Sequence, residues 1–415
     1  MTAPARRPVG RSTGPLAGGS PIAPLLALAG LAVVALVSVG LMNGRLPIVG
    51  GASGGTGNGG PQRTAAPSNV VVPESHAGDV PGTFVYAKSG NVWIQSGKDV
   101  RQLTTGGTDI NPRFSPDGED VYFIRTKMTR AKAPLDNAVT TVTLAVPLLM
   151  RTRTDGSGEA EQLATGEYTF GTAGQYGWFY WLRQPTPSPD GKTLALVSDA
   201  PNPRQNGRDV VLQTFDLATG RLTVANAPES PPLGHQDPAW RPDGRYLAYT
   251  RNARDAGTSR GAPSIWRYDP KARRAAAITG AGYEAPSWSP DGRYLAATKT
   301  STQGTDVVVL DADTGAELLR ITNDDRSFSP AWSPNGDAVA YLHQENGIVD
   351  LKVARLDGGA PTWTVRDTID MTTVSGLDGA SRPDWFVPLD KRTPVGSGAS
   401  PTPPTASGQP PSEIP

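Results

Sequence analysis

An all-β fold, a six-bladed β-propeller preceded by a single N-terminal transmembrane helix, is what this sequence predicts. Three observations carry the prediction: a turn phrase that recurs at blade spacing, an apolar strand behind every copy, and two chain ends that complete one another's blade.

The phrase is Pro112-Arg-Phe-Ser-Pro-Asp-Gly118, Pro185-Thr-Pro-Ser-Pro-Asp-Gly191, Pro238-Ala-Trp-Arg-Pro-Asp-Gly244, Pro286-Ser-Trp-Ser-Pro-Asp-Gly292 and Pro330-Ala-Trp-Ser-Pro-Asn-Gly336. Behind the copies stand VYFI, TLALVS, YLAYT, YLAAT and AVAYL. Trp240, Trp288 and Trp332 lie 48 and 44 residues apart (288 − 240, 332 − 288), the period of a four-stranded blade. Proline presets φ for the turn, Asp or Asn tolerates the next position, and Gly accepts the positive φ that closes the hairpin. The aromatic ahead of the turn is expected between neighbouring blades. A second turn recurs after the third strand, at Asp155-Gly-Ser-Gly158, Asp216-Leu-Ala-Thr-Gly220 and Asp311-Ala-Asp-Thr-Gly315. Four short strands with turn residues between them make a blade.

Five such units are internal. Gly82 to Thr104 reads as the last three strands of a blade without its opening phrase, and Ala380-Ser-Arg-Pro-Asp-Trp385 as an opening phrase without its blade. Joined, they form a sixth blade with the C-terminal strand innermost. This removes the open sheet edge that would otherwise invite pairing.

These P-x-W-S-P-D-G phrases resemble the WD-like repeats of the TolB family of bacterial envelope propellers, over about three-quarters of the chain. The resemblance implies a six-bladed propeller outside the cytoplasmic membrane that binds other envelope proteins at its channel mouth. The chain differs from TolB in lacking a distinct α/β domain before the propeller and in having a membrane anchor instead, so only the general class carries over.

The anchor is Pro21–Met42, uncharged, with Ser38 its one polar residue. As a helix it rises about 33 Å, enough for a hydrocarbon core of about 30 Å. Arg6, Arg7 and Arg11 precede it and Arg45 follows, which predicts a single pass of the cytoplasmic membrane with residues 1–20 inside and the propeller extracytoplasmic. A cleaved signal peptide is the competing reading; against it, the apolar run is longer than the usual 7–15 residues and no clean Ala-x-Ala site follows. Residues 43–81 read as a flexible Gly/Ser/Pro linker, 82–390 as the propeller and 391–415 as a disordered Pro-rich tail.

Composition removes several function classes. With no cysteine there are no disulfides, no thiolate metal sites and no cysteine nucleophile. Lys+Arg and Asp+Glu stand at 39 each, without the basic surplus of a nucleic-acid binder. Gly51-Ala-Ser53-Gly-Gly55 spells G-x-S-x-G inside the linker, with no strand before it and no helix after it. The α/β pattern of an attached hydrolase is absent. His76, His235 and His343 are the only histidines and have no zinc spacing; His76 falls in the linker and His343 is expected at the surface. Asp311-x-Asp313 resembles the start of a calcium loop, but position 322 is Thr rather than Glu, so it reads as a hairpin turn. No catalytic, metal or cofactor constellation is expected.

The candidate site is therefore a binding surface. Residues entering each innermost strand should ring one mouth of the channel, among them Asp109, Asn111, Arg183, Gln184, His235, Asp237, Glu284 and Arg382. Convergent polar groups over a depression are the usual form of a site, although water alone would also keep a mouth polar. Two insertions add to it, one at 127–146 and one at 167–184. The second carries Tyr168, Phe170 and Tyr176, expected in a surface loop, and exposed aromatics of this kind anchor interfaces. The functional expectation is a membrane-anchored scaffold for other cell-envelope proteins. A carbohydrate- or peptide-binding sensor that takes a small-molecule ligand is the runner-up. A lactonase-type metal-dependent hydrolase comes third and needs carboxylates centred in the channel.

Overall fold

The computed structural model describes residues 70–135, 138–201, 210–225, 234–254, 260–359 and 361–392. The expected transmembrane helix, the linker up to residue 69 and the tail from 393 lie outside the described residues. Among the described residues no helix is long and apolar enough to cross a membrane.

Six antiparallel four-stranded sheets are present. Blades 1 to 5 open with innermost strands Asp109–Phe114, Arg183–Pro187, His235–Trp240, Tyr283–Trp288 and Ser327–Trp332. Each continues outward through three further strands in chain order. Blade 6 is the composite: Asp384–Phe386 is innermost and pairs with Thr83–Lys88, followed by Asn91–Ser96 and Asp99–Gln102. The register is Thr83↔Phe386, Phe84↔Trp385 and Val85↔Asp384. Both chain ends thus close the ring as expected.

The apolar strands are buried on both faces, which is why they read as unbroken apolar runs. Successive side chains point to opposite faces, so one strand serves two neighbours. Val121 and Phe123 pack with blade 6, while Tyr122 and Ile124 pack with blade 2. In the same way Phe84 and Tyr86 face blade 5 and Val85 faces blade 1. Six buried clusters result, each made by a pair of adjacent blades.

The opening turn is built by its serine. Ser188 and Ser289 donate to Asp190 and Asp291 at 2.6 Å, and accept the N–H of Thr193 and Tyr294 at 3.0 Å. The same aspartates accept the N–H of Lys192 and Arg293. The serine hydroxyl, followed by that backbone bond, holds the Asp190 carboxyl below its usual range. Gly118, Gly191, Gly244, Gly292 and Gly336 have φ between 68° and 80°, the left-handed region the turn requires. At the second turn Asp311 accepts Asp313 N–H, Thr314 N–H and the Thr314 hydroxyl, as a hairpin turn should. Trp288, as expected of these aromatics, bonds the neighbouring blade, donating from Nε1 to Ala239 O at 3.0 Å.

One boundary moves. Residues 70–81, expected as the end of the linker, lie against blades 5 and 6. Val71, Ala77 and Val80 are buried there, Pro73 forms a β-bridge with Thr372, and Val72 N–H donates to Ser375 Oγ at 3.0 Å. These three buried apolar side chains are what dock it.

Candidate functional site: the channel mouth and its hairpins

Each innermost strand starts at one end of the channel, so its first residues lie at a common mouth and the Pro-Asp-Gly turns at the opposite face. In blades 1, 4 and 5 the first position of the strand is engaged within its own blade. Asp109, fully buried, takes both arms of Arg125 at 2.7 and 2.8 Å. Tyr283 lies under Lys299 (5.8 Å) and Ser327 meets His343 (3.2 Å). These are the cross-strand partners of the antiparallel register.

The residue just before the proline holds the ring together. Asn111, Gln184, Asp237, Ala285 and Ser329 have φ of 52–56°, each at a register shift just before the proline. This repeated bulge turns an N–H towards the preceding blade. Asn111 donates to Ser381 Oγ (2.8 Å), Asp237 to Gln184 Oε1 (2.9 Å), Ala285 to Thr250 Oγ1 (2.9 Å) and Ser329 to Thr298 Oγ1 (2.9 Å). Gln184 returns a bond from Nε2 to Asp237 Oδ1 at 2.7 Å.

Besides buried Asp109 and Asn111, two further candidates are structural. His235, 2 % exposed, accepts the N–H of Leu212 on Nδ1 at 3.0 Å and packs on Tyr249. In four other blades a threonine hydroxyl does this for the equivalent strand: Thr104 for Val92, Thr279 for Ile265, Thr322 for Val307 and Thr372 for Leu351. Burial, with Arg251 nearby, pushes His235 down to about 4, so the ring is neutral. Arg382 is not on the rim at all. It is 8 % exposed and reaches across the channel from blade 6, donating to Pro286 O of blade 4 at 2.6 Å and towards Pro238 O of blade 3 at 3.5 Å. Arg113 joins it from blade 1, bonding Arg382 O and Pro383 O. Burial and the adjacent Arg113 lower Arg382 to about 9, while Asp237 and Asp384 act in the opposite direction. Two guanidinium groups therefore fill the channel. The half-buried mouth candidates that remain are Arg183, Gln184, Asp237 and Glu284.

Residues 179–368 match the family model described as the TolB beta propeller domain. Over that span the propeller resembles that of TolB. Among solved structures, TolB from Acinetobacter baumannii is 19% identical with a TM-score of 0.51, over 73% of this chain and 66% of that one. The chain thus spans just under two-thirds of that TolB's length. A TolB candidate from Agrobacterium tumefaciens is 16% identical (TM-score 0.47, 74% of this chain, 96% of that one). A puromycin-hydrolyzing peptidase of Mycobacterium tuberculosis is 16% identical (TM-score 0.46, 71% of this chain, 44% of that one). The first of these likenesses speaks to fold alone. No curated protein matches the sequence.

Two hairpins rise beside the mouth. The insertion at 127–146 lengthens two strands of blade 1, Asp120–Leu135 and Ala138–Arg153. Since Asp109 pairs with Arg125, residues 126–135 run on past the mouth end of the inner strand, about 33 Å of chain. Tyr168 and Phe170, expected in a loop, lie on strand Glu167–Phe170, and Tyr176 begins strand Tyr176–Phe179. The two strands pair as Tyr168↔Trp178 and Phe170↔Tyr176. The small hairpin leans on the long one: a Cβ at Gly177 would stand 2.8 Å from that of Ala131. Trp178 and Phe179 pack on the blade 6–blade 1 cluster.

The aromatic row continues down into the mouth. Phe170 meets Tyr176 (5.4 Å between centroids), Trp178 meets Phe179 (6.1 Å), Phe179 meets Trp181 (5.1 Å), and the Arg183 guanidinium lies 5.1 Å from the Trp181 ring. Phe179, Trp181 and Arg183 thus join the small hairpin to the innermost strand of blade 2.

Ser327, His343 and Asp324 also meet, with Ser327 Oγ 2.9 Å from Asp324 Oδ2. Both approach His343 through the same nitrogen, Nδ1 (3.2 and 3.3 Å), whereas a charge-relay set needs the two ring nitrogens between its acid and its nucleophile. Ser327 is fully buried, and the His343 side chain, expected at the surface, is 12% exposed. The trio fastens a loop to a strand. Among the described residues no three His, Asp or Glu side chains gather in a metal-holding group.

Proposed function

We propose that the chain is a membrane-anchored, extracytoplasmic protein-binding scaffold of a bacterial cell envelope, which seats its partner between the channel mouth and the paired hairpins. The observation that carries this reading is the continuity of the aromatic row with the mouth: Phe179, Trp181 and Arg183 link the hairpin to the innermost strand of blade 2 within 5.1 Å steps. A surface with aromatic anchors in the middle and half-buried polar groups at one end suits a protein interface. The TolB-like propeller and the uncharged span Pro21–Met42 support the envelope location. A lactonase-type centre needs carboxylates on the channel axis, where Arg113 and Arg382 are instead.

The absence of cysteine makes the test direct. Single cysteines at Thr172 and Glu284, labelled with a photo-crosslinker in cells, should capture the same envelope protein. Replacing Tyr168, Phe170 and Tyr176 by Ala should reduce capture from both positions at least tenfold. Capture from Glu284 that survives the aromatic triple would separate the two surfaces and defeat the proposal.

A further inference from the structure

The face opposite the mouth carries a departure from the chain's own repeat. Four of the five opening turns have serine ahead of Pro-Asp/Asn-Gly: Ser115, Ser188, Ser289 and Ser333. Blade 3 has Arg241. That turn gives up the two hydrogen bonds its sisters make through serine, each worth about 1 kcal/mol. A local rule broken in one copy only marks a position shaped by something other than folding.

Arg241 lies between two rings, 5.7 Å from Tyr246 and 5.9 Å from Trp288 of blade 4. It rests on the next turn so closely that a Cβ at Gly292 would fall 2.6 Å from its Nε. That Nε–H is shielded from water and has no acceptor among the described residues. Two more guanidinium groups face the same ring: Arg245 at 5.5 Å and Arg267 at 5.4 Å. Three like charges around one tyrosine repel one another unless an anion lies among them. The carboxylates present are exposed: Asp243, which also accepts the Arg245 backbone N–H, is 3.6 Å from Arg241, and Asp313, 89% exposed, is 3.0 Å from Arg267. Exposed pairs of this kind hold weakly and exchange readily. Arg245 has no carboxylate partner among the described residues. The neighbouring turn Lys271-Ala-Arg-Arg274 adds three further cations at the same end of the blade.

We propose that this patch on the far face of blade 3 binds phosphate groups carried in an array. A carboxylate has two oxygens and satisfies two guanidinium forks at most, whereas a phosphate offers enough acceptors for three, and rings that hold guanidinium groups flat prepare them for such binding. The site is separate from the mouth, and its test does not depend on the scaffold reading.

Sodium tripolyphosphate titrated calorimetrically into the purified full chain at about 0.15 M salt should bind. Arg241→Ser restores the repeat's own residue, so it should weaken binding at least tenfold and leave the unfolding temperature unchanged or higher. Arg245→Gln, on an exposed side chain, should weaken binding as well and guards against a folding defect in the first variant. Competition by phosphatidylglycerol vesicles would assign the phosphates to a lipid surface, and no competition to a soluble polymer; both sustain the site. No binding by the native chain, equal binding by Arg241→Ser, or binding of polyglutamate as tight as that of tripolyphosphate would each overturn the proposal.

Discussion

At the scale of single residues, the same job is done by different side chains in different blades, and the substitutes are where the chain becomes sensitive to conditions. His235 stands in for the threonine that caps the third strand elsewhere, and it accepts an N–H only while neutral. Above about pH 6.5 both the folded and the unfolded chain leave it neutral. As pH falls from 6.5 to about 4 the unfolded chain takes up the proton and the folded one does not, so stability is lost across that window. The loss should approach about 3 kcal/mol. Denaturant unfolding of the native chain and of His235→Gln at pH 7.5, 5.5 and 4.5 checks this. The variant starts lower but should lose less stability between those values; parallel losses would show that His235 is not the titrating group.

At the scale of elements, closure rests on very little chain. Asp384–Phe386 makes three residue pairs with Thr83–Val85, yet the short segment around it places the Arg382 guanidinium across the channel and the Trp385 indole on Pro81 O at 3.0 Å. The linker's last residues add to this, because Val71, Ala77 and Val80 fill the blade 5–blade 6 seam. Deleting residues 380–387 removes the innermost strand and the channel filling together. It should abolish cooperative unfolding or produce aggregates, since an open sheet edge and a half-empty interface are exposed at once. Ending the chain after Arg392 should change nothing measurable. Calorimetry and light scattering distinguish the cases, and a monomeric, cooperatively folded deletion product would disprove the composite blade.

At the scale of the whole molecule, the two faces have different characters. The mouth side carries the hairpins and the aromatic row; the far side carries the turns and the arginine cluster of blade 3. Residue 70 enters beside the blade 5–blade 6 connection at the mouth, with Thr373 N–H donating to Val72 O at 3.0 Å. If Pro21–Met42 is an uncleaved anchor with its N-terminus inside, protease added outside spheroplasts should release the folded propeller by cutting between residues 43 and 69. A soluble fragment beginning near residue 70 is the expected product, read by N-terminal sequencing. Full protection of the chain would overturn that topology.

Much of this architecture can be read from the sequence because its causes are local. A Pro-Asp-Gly turn, an unbroken apolar strand and a half-blade at each end are each specified by neighbouring residues, through φ preferences and the two-residue period of a strand. Their repetition shows the ring. The mouth was legible as a place, since chain direction alone brings the starts of the innermost strands to one end. Which of its side chains are available was not legible. Arg382 looks like a rim residue until closure sets it opposite carbonyls 96 and 144 positions away. His235 looks like a site residue until blade 2 proves to lack the usual threonine. The aromatic insertion and Arg183 look separate until the hairpin folds back on the long strands of blade 1. Arg241 differs visibly from four serines, but its meaning depends on Arg267 and Trp288, which come from another strand and another blade. Local sequence was enough for the turns, the blade strands and the number of blades; the hairpin of the aromatic insertion, and which side chains are consumed as structure, were decided by the tertiary structure, because closure alone sets the distances between residues far apart in the chain.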